Sequence, residues 1–141
     1  MRLRAAVVTA AVALASTCLA GCIEQTYPGP RRPRAEVALV LIDGTQLTHL
    51  DGQHTDTDRL EVLPGLHALW VALSDDHPPG LPGFHTYSTR SMVLCFAAQA
   101  GHTYRARPVY VGRRQWRPEI LDETRGELVR FWQIDPSVEH C

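Results

Sequence analysis

The polar side chains able to act chemically gather in two stretches of the chain. His49-Leu50-Asp51-Gly52-Gln53-His54-Thr55-Asp56-Thr57-Asp58 brings two imidazoles and several carboxylates close together. Asp56 and Asp58 alternate, so on an extended backbone they point the same way. Carboxylate oxygens suit Ca²⁺ and imidazole suits Zn²⁺. However, neither Asp51 nor Asp56 opens a loop with the Gly and Glu of an EF-hand, and no H-E-x-x-H occurs. The stretch reads as a solvated connection, with metal binding by His49, His54 and the nearby Asp residues as the weaker alternative. The second stretch runs from Asp75-Asp76-His77 to Phe84-His85-Thr86-Tyr87, with three prolines and two glycines between. Long loops on a rigid scaffold often carry binding. Phe84, His85 and Tyr87 are the candidate ligand-binding residues, suited to stacking on a sugar ring or a peptide; a variable loop held by its prolines is the other reading.

His67 and His102 each follow closely on a turn glycine. A ring nitrogen there can hydrogen-bond the backbone across the hairpin, so a structural role is expected ahead of a ligand or catalytic one. No G-x-S-x-G and no Cys–His signature is present, and Ser74, Ser88 and Ser91 have no special setting. No glycine-rich phosphate loop precedes a helix. The expectation is a protein that is not an enzyme, with no catalytic residue, no cofactor and no resident metal.

Charge narrows the partners. In 141 residues, all 14 basic side chains are Arg, against 15 acidic ones, for a formal charge of −1. That balance offers no basic face for nucleic acid. Length allows one domain, and 45% apolar residues can fill a core, although the first 21 residues inflate that figure. Arg2 and Arg4 precede an apolar run over residues 5–20. The run is short of the roughly 20 residues a spanning helix needs and fits the apolar region of a signal peptide.

Leu19-Ala20-Gly21-Cys22 follows directly. It resembles the bacterial lipobox, a branched apolar residue and two small residues before Cys. The resemblance implies that the Cys22 thiol receives a diacylglycerol and that cleavage before Cys22 exposes an amine, which is then acylated. An ordinary secretory signal with an incidental Cys is the alternative. Two or three acyl chains hold a protein stably on a bilayer, where one does so only marginally. Removal of Arg2 and Arg4 with the signal lowers the formal charge to −3. Ile23, rather than Asp, follows the Cys; by the same resemblance this implies sorting to the outer membrane, facing the periplasm.

Of the four cysteines, Cys18 leaves with the signal and Cys22 is the lipidation site. Cys95 and Cys141 remain, in a compartment that permits disulfides. They either pair, or stand as a buried small hydrophobe and a free terminal thiol. Neither has a partner at C-x-x-C spacing.

Residues 24–34 hold three Pro and one Gly and read as a tether after the lipidated Cys. Eleven such residues in polyproline geometry reach roughly 30 Å. Arg31, Arg32 and Arg34 along it would be solvated or touch anionic headgroups. The folded domain is placed at residues 35–134, with a tail at 135–141. Short β-rich runs separated by turn residues fill it. Residues 36–43 read as a strand buried on both faces or packed centrally; Pro64-Gly65 and Ala100-Gly101 read as hairpin turns. Strands are expected over 60–63, 66–73, 89–98, 102–111 and 115–121, with a final one over 127–134. The fold class is all-β, a small antiparallel β-sandwich of six to seven strands.

Leu60-Glu61-Val62-Leu63-Pro64-Gly65-Leu66-His67-Ala68-Leu69-Trp70-Val71 forms an L-x-V-x-P-G-x-H-x-L-x-V pattern. Phe96 through Tyr104 carries A-G-H-x-Y, and Trp116 through Gly126 carries W-x-P-x-I-x-D-x-x-x-G. Together these resemble small uncharacterised bacterial lipoproteins with one β-rich domain and, more loosely, Ig-like and PEGA-type surface domains. The resemblance implies a location and an architecture, and carries no catalytic residue. The expected role is a lipid-anchored cell-envelope lipoprotein, an interaction or structural module. A glycan or peptidoglycan-fragment binding module is the alternative, and a metal-dependent enzyme the weaker one. Expected partners are the membrane through the anchor, and an envelope protein or a glycan.

Overall fold

The structure, a computed structural model, describes residues 22–55, 57–72, 74–75, 87–88, 91–112, 115–138 and 141. Its strands in chain order are β1 (Glu24–Gln25), β2 (Ala38–Ile42), β3 (Gln46–Leu50), β4 (Gln53–His54), β5 (Arg59–Val62), β6 (Gly65–Ala72), β7 (Ser74–Asp75), β8 (Tyr87–Ser88), β9 (Met92–Ala98), β10 (Thr103–Gly112), β11 (Gln115–Asp122), β12 (Glu127–Leu128) and β13 (Trp132–Ile134). A single 3₁₀ turn, Arg34–Glu36, precedes β2. Seven strands have four residues or more; the others extend or edge the sheets.

Two sheets face each other. One has the order β1-β5-β2-β10-β11-β12 and the other β13-β9-β6-β3-β4. The core between them takes Val40, Leu60, Val62, Tyr104 and Ile120 from the first sheet, and Leu47, Leu69, Val71, Leu94 and Phe96 from the second. Tyr104 and Phe96 meet edge to face at 5.3 Å between ring centroids. Full burial of each such apolar side chain contributes about 1.5–3 kcal/mol before chain entropy is set against it. The alternation in β2 is plain: Ala38, Val40 and Ile42 are buried while Leu39 and Leu41 are half-buried on the other face. The strand is central, between β5 and β10, as its composition predicts.

The expected all-β sandwich is what forms, with four local differences. First, the larger sheet is mixed: β1 pairs β5 and β10 pairs β2 in parallel. Second, Pro64-Gly65 and Ala100-Gly101 are not hairpin turns. Each carries the chain from one sheet to the other, since β5 and β10 lie in the first sheet and β6 and β9 in the second. Alternating apolar residues on both sides of a turn fit a hairpin or an arch equally, because in either case they face one core. Third, the stretch expected as one strand over 127–134 divides. β12 pairs β11 in one sheet, and β13 pairs β9 in the other. Fourth, residues 24–34 are not a free tether, as described below. A signal the sequence reading passed over also appears: Asp51-Gly52 joins β3 to β4 with φ 49 and 79. Two successive positive φ values are the type I′ hairpin turn, for which Asp-Gly is a preferred pair.

The registers fix which end each strand starts from. Ile42, at the C-terminal end of β2, lies level with Ala106 of β10, and neighbouring Leu41 is level with Arg59 at the start of β5. β1 enters beside Leu60 and runs parallel to β5. β1 therefore enters from the side on which β2 ends and β10 runs out, called here the lower end; Glu24 itself is level with Val40 and Tyr104, so that Cys22 lies near the level of Ala106 and β10 continues below it.

Candidate functional site

Cys22 is exposed and has a free thiol, two residues before β1. The chain after it is fastened to the outer edge of the larger sheet. Glu24 and Gln25 pair with Leu60 and Glu61, and Thr26 donates through both its N–H and its hydroxyl to the Glu61 carbonyl. The Glu24 carboxylate accepts from the Thr55 hydroxyl at 3.0 Å. Tyr27 is buried, and its hydroxyl accepts from the Arg32 N–H. Arg31 Nε donates to the buried Glu61 carboxylate at 3.0 Å. Arg34 donates to the carbonyls of Val37 and His102 and to the Thr103 hydroxyl. His102 lies near the start of β10, at the upper end. Arg34 is thus held against β10, three strands across the sheet from β1. The prolines exclude helix but do not stop a chain lying along a sheet edge. The buried Tyr27 and Glu61 are what hold it there.

The two motif histidines each join a carboxylate. Both His67 nitrogens have acceptors at 2.7 Å, Asp51 Oδ2 at Nδ1 and the Leu63 carbonyl at Nε2. Two acceptors require two donors, so the ring is held as imidazolium. Burial pulls its pKa down, but hydrogen bonds to Asp51 and to the Leu63 carbonyl, with the Asp51 charge, outweigh that and leave it raised from 6.5. Asp51 Oδ1 also accepts from the Ala68 N–H. One carboxylate therefore locks the β3–β4 turn, the imidazole and the β6 backbone together. His102 Nδ1 donates to Asp122 Oδ2 at 2.7 Å, and its ring stacks on Tyr104. Asp122 Oδ1 accepts from the N–H groups of Thr124 and Arg125. Burial opposes ionisation of Asp122, but the His102 hydrogen bond and these backbone donors hold its pKa below the usual carboxylate value.

A His–Asp pair is also half of a catalytic arrangement. His67 has no free nitrogen for a base. Beside His102, the Thr103 hydroxyl accepts from Arg34 and the Thr124 hydroxyl accepts from the Thr103 N–H. Both pairs are brackets that close sheet-to-sheet corners. The structural reading of the histidines anticipates the His67 bond to a carbonyl; the carboxylate partners, 16 and 20 residues away, come from tertiary folding.

His49 and His54 do come together, as partners across β3 and β4 with ring centroids 5.4 Å apart. His49 also packs against Trp70. Of the nearby acids, Asp51 is bound to His67, Asp58 is exposed, and Asp56 lies outside the described residues. Among the described residues no group of three or more His, Cys, Asp or Glu could hold a metal ion. Of the expected ligand-binding trio, Phe84 and His85 lie outside the described residues, and Tyr87 is a strand residue of β8 paired with Asp75.

Cys95 and Cys141 form a disulfide, with Cα atoms 5.8 Å apart. Cys95 lies on the outer face of the smaller sheet, in a second apolar cluster with Ala68, Trp70 and Val93, and Ile134 packs against it. The chain end read as a tail is therefore pinned over that face. A cleft of about 400 Å³ opens along the β11 edge, lined by Met92, Trp116, Pro118, Ile120, Val129 and Phe131, with Arg117, Glu119 and Gln133 at its polar side. Trp116 is half-buried and shared between core and cleft. Among the described residues no helix is long and apolar enough to cross a membrane. No family model, no curated protein and no solved structure matches the chain.

Proposed function

We propose that the protein is a lipid-anchored lipoprotein of the bacterial cell envelope. It is acylated at Cys22, carried on the outer membrane facing the periplasm, and acts as a non-enzymatic structural or interaction module. The observation that carries the reading is the position of Cys22. It is exposed at the edge of a folded sandwich, directly after a sequence that resembles a lipobox. The short stretch before β1 leaves the thiol outside the fold, open to a modifying enzyme. The two His–Asp pairs act as internal brackets, which fits a module whose work is to be present and held in place. Cys22→Ala should abolish palmitate labelling and move the protein from the membrane to the soluble fraction, or leave unprocessed precursor. Fully processed mutant retained on membranes would refute the anchor.

The cleft supports a second reading, a binding module for a glycan or peptidoglycan fragment. Clefts of this size lined by aromatic groups with a few polar ones suit small ligands. Trp116 and Phe131 offer ring faces, while Arg117, Glu119 and Gln133 offer donors and acceptors. Titration of muropeptides and chitooligosaccharides should shift tryptophan fluorescence in the wild type and not in Trp116→Ala. A flat response in both removes this reading.

A further inference from the structure

The β10–β11 hairpin is longer than the sheet it belongs to. β10 pairs with β2 only over Thr103–Ala106, yet pairs with β11 as far as Gly112. The turn after β2 fills the next step, where Asp43 donates to the Ala106 carbonyl and Gly44 sits against Pro108. From Pro108 to Gly112 the hairpin runs on as a two-stranded ribbon, about 13 Å at roughly 3.3 Å per residue. Its far part bears Tyr110, 54% exposed, and Val111, 58% exposed, beside a register shift that turns the strand. Its stem carries Arg107 and Arg117 against a single carboxylate, Glu119, that both reach.

This ribbon projects from the lower end, the end where Cys22 enters. Three strand spacings, roughly 14 Å, separate β1 from β10, and by register Val111 stands five residues, roughly 16 Å, further down than Cys22. Cys22 has no slack, because the chain is paired to β5 from Glu24 onward. Because the ribbon runs past the level of Cys22 on the side from which the chain enters, a bilayer holding the Cys22 acyl chains meets it when the strands are tilted to the surface. Exposed aromatic and aliphatic side chains with a surplus of arginine are the composition that settles at the headgroup level.

We propose that the β10–β11 ribbon is a second membrane contact, resting Tyr110 and Val111 in the headgroup region of the leaflet that carries the Cys22 lipid. The inference rests on lipidation of Cys22 and goes beyond it by fixing the domain's orientation. The strands then lie oblique to the membrane, with the upper end, including Leu66 and the Asp122 corner, turned to the aqueous side.

The test uses the full-length lipoprotein purified in detergent and reconstituted into phosphatidylethanolamine–phosphatidylglycerol vesicles. A fluorophore is placed at Val111→Cys or, in a second protein, at Leu66→Cys, which is as exposed as Tyr110 but lies at the upper end. Lipids with a nitroxide headgroup should quench the label at position 111 several-fold more than the label at position 66. Equal quenching at the two sites, or a label at 111 fully open to aqueous quencher, overturns the proposal; the latter result would leave the ribbon free for a protein partner. The mass of the N-terminal peptide is measured on the same sample. A peptide without diacylglycerol overturns the anchor itself, and the orientation falls with it. A lipidated peptide with equal quenching overturns the orientation alone.

Discussion

At the scale of single residues, charge on His67 is part of the fold. The imidazolium spans Asp51 and the Leu63 carbonyl, and a neutral ring can donate to only one of them. Below pH 6.5 the ring is protonated both folded and unfolded, so the bracket contributes in full. As pH rises through the raised folded value, the folded state must release a proton and that contribution is lost. The melting temperature of the wild type should therefore fall as pH rises from 6.5 towards alkaline values. His67→Gln should be less stable at pH 6 by about 2 kcal/mol, the usual worth of a hydrogen bond to a charged group, and should show a flatter profile over the same range. Thermal melts across pH check both; parallel profiles for the two proteins would contradict the bracket. Asp122 works in the opposite sense, since its lowered pKa adds stability that is lost only when pH falls below 3.8. The structural part of His67 was legible because its place after a turn glycine puts the ring against the turn backbone. Asp51 was not legible as its partner, because nothing local to either residue records a contact across two strands.

Among the elements, the turns were read better than the connections they make. Pro64-Gly65 and Ala100-Gly101 do reverse the chain, and Gly65 and Gly101 have φ 140 and 78. Turn chemistry reports dihedral angles, however, not which sheet receives the next strand. The strand faces were legible for the same local reason: Met92, Leu94 and Phe96 alternate inward as their spacing predicts. The opposite face of β6 and β9 is buried too: Ala68, Trp70, Val93 and Cys95 cluster there with Ile134 packed against them. Cys95 and Cys141 close a loop spanning 46 residues, a size for which loss of the cross-link costs about 3–4 kcal/mol. Cys141→Ser should lose stability of that order in urea unfolding. It should also red-shift tryptophan emission, because Trp70 shares its apolar cluster with Cys95. Unchanged emission with unchanged stability would mean that the tail adds nothing to this face.

For the whole molecule, the legible part was the class, an all-β sandwich; β3 and β4 fall where a solvated connection is expected, because the polar residues there sit on an edge hairpin. The posture of residues 24–34 was not legible. Their prolines predict a flexible spacer, while Tyr27, Arg31 and Glu61 make them part of the sheet edge. A spacer would have let the domain tumble freely above a surface; a docked segment transmits direction as well as position. Because β1 lies parallel to β5 and enters from Cys22, tension applied at that cysteine along the strand axis loads the β1–β5 ladder lengthwise. Its hydrogen bonds then share the force instead of parting one after another like a zip. Mechanical load arriving at the first residue is handed to the interior strands, and the sandwich behaves as a strut rather than a float on a string.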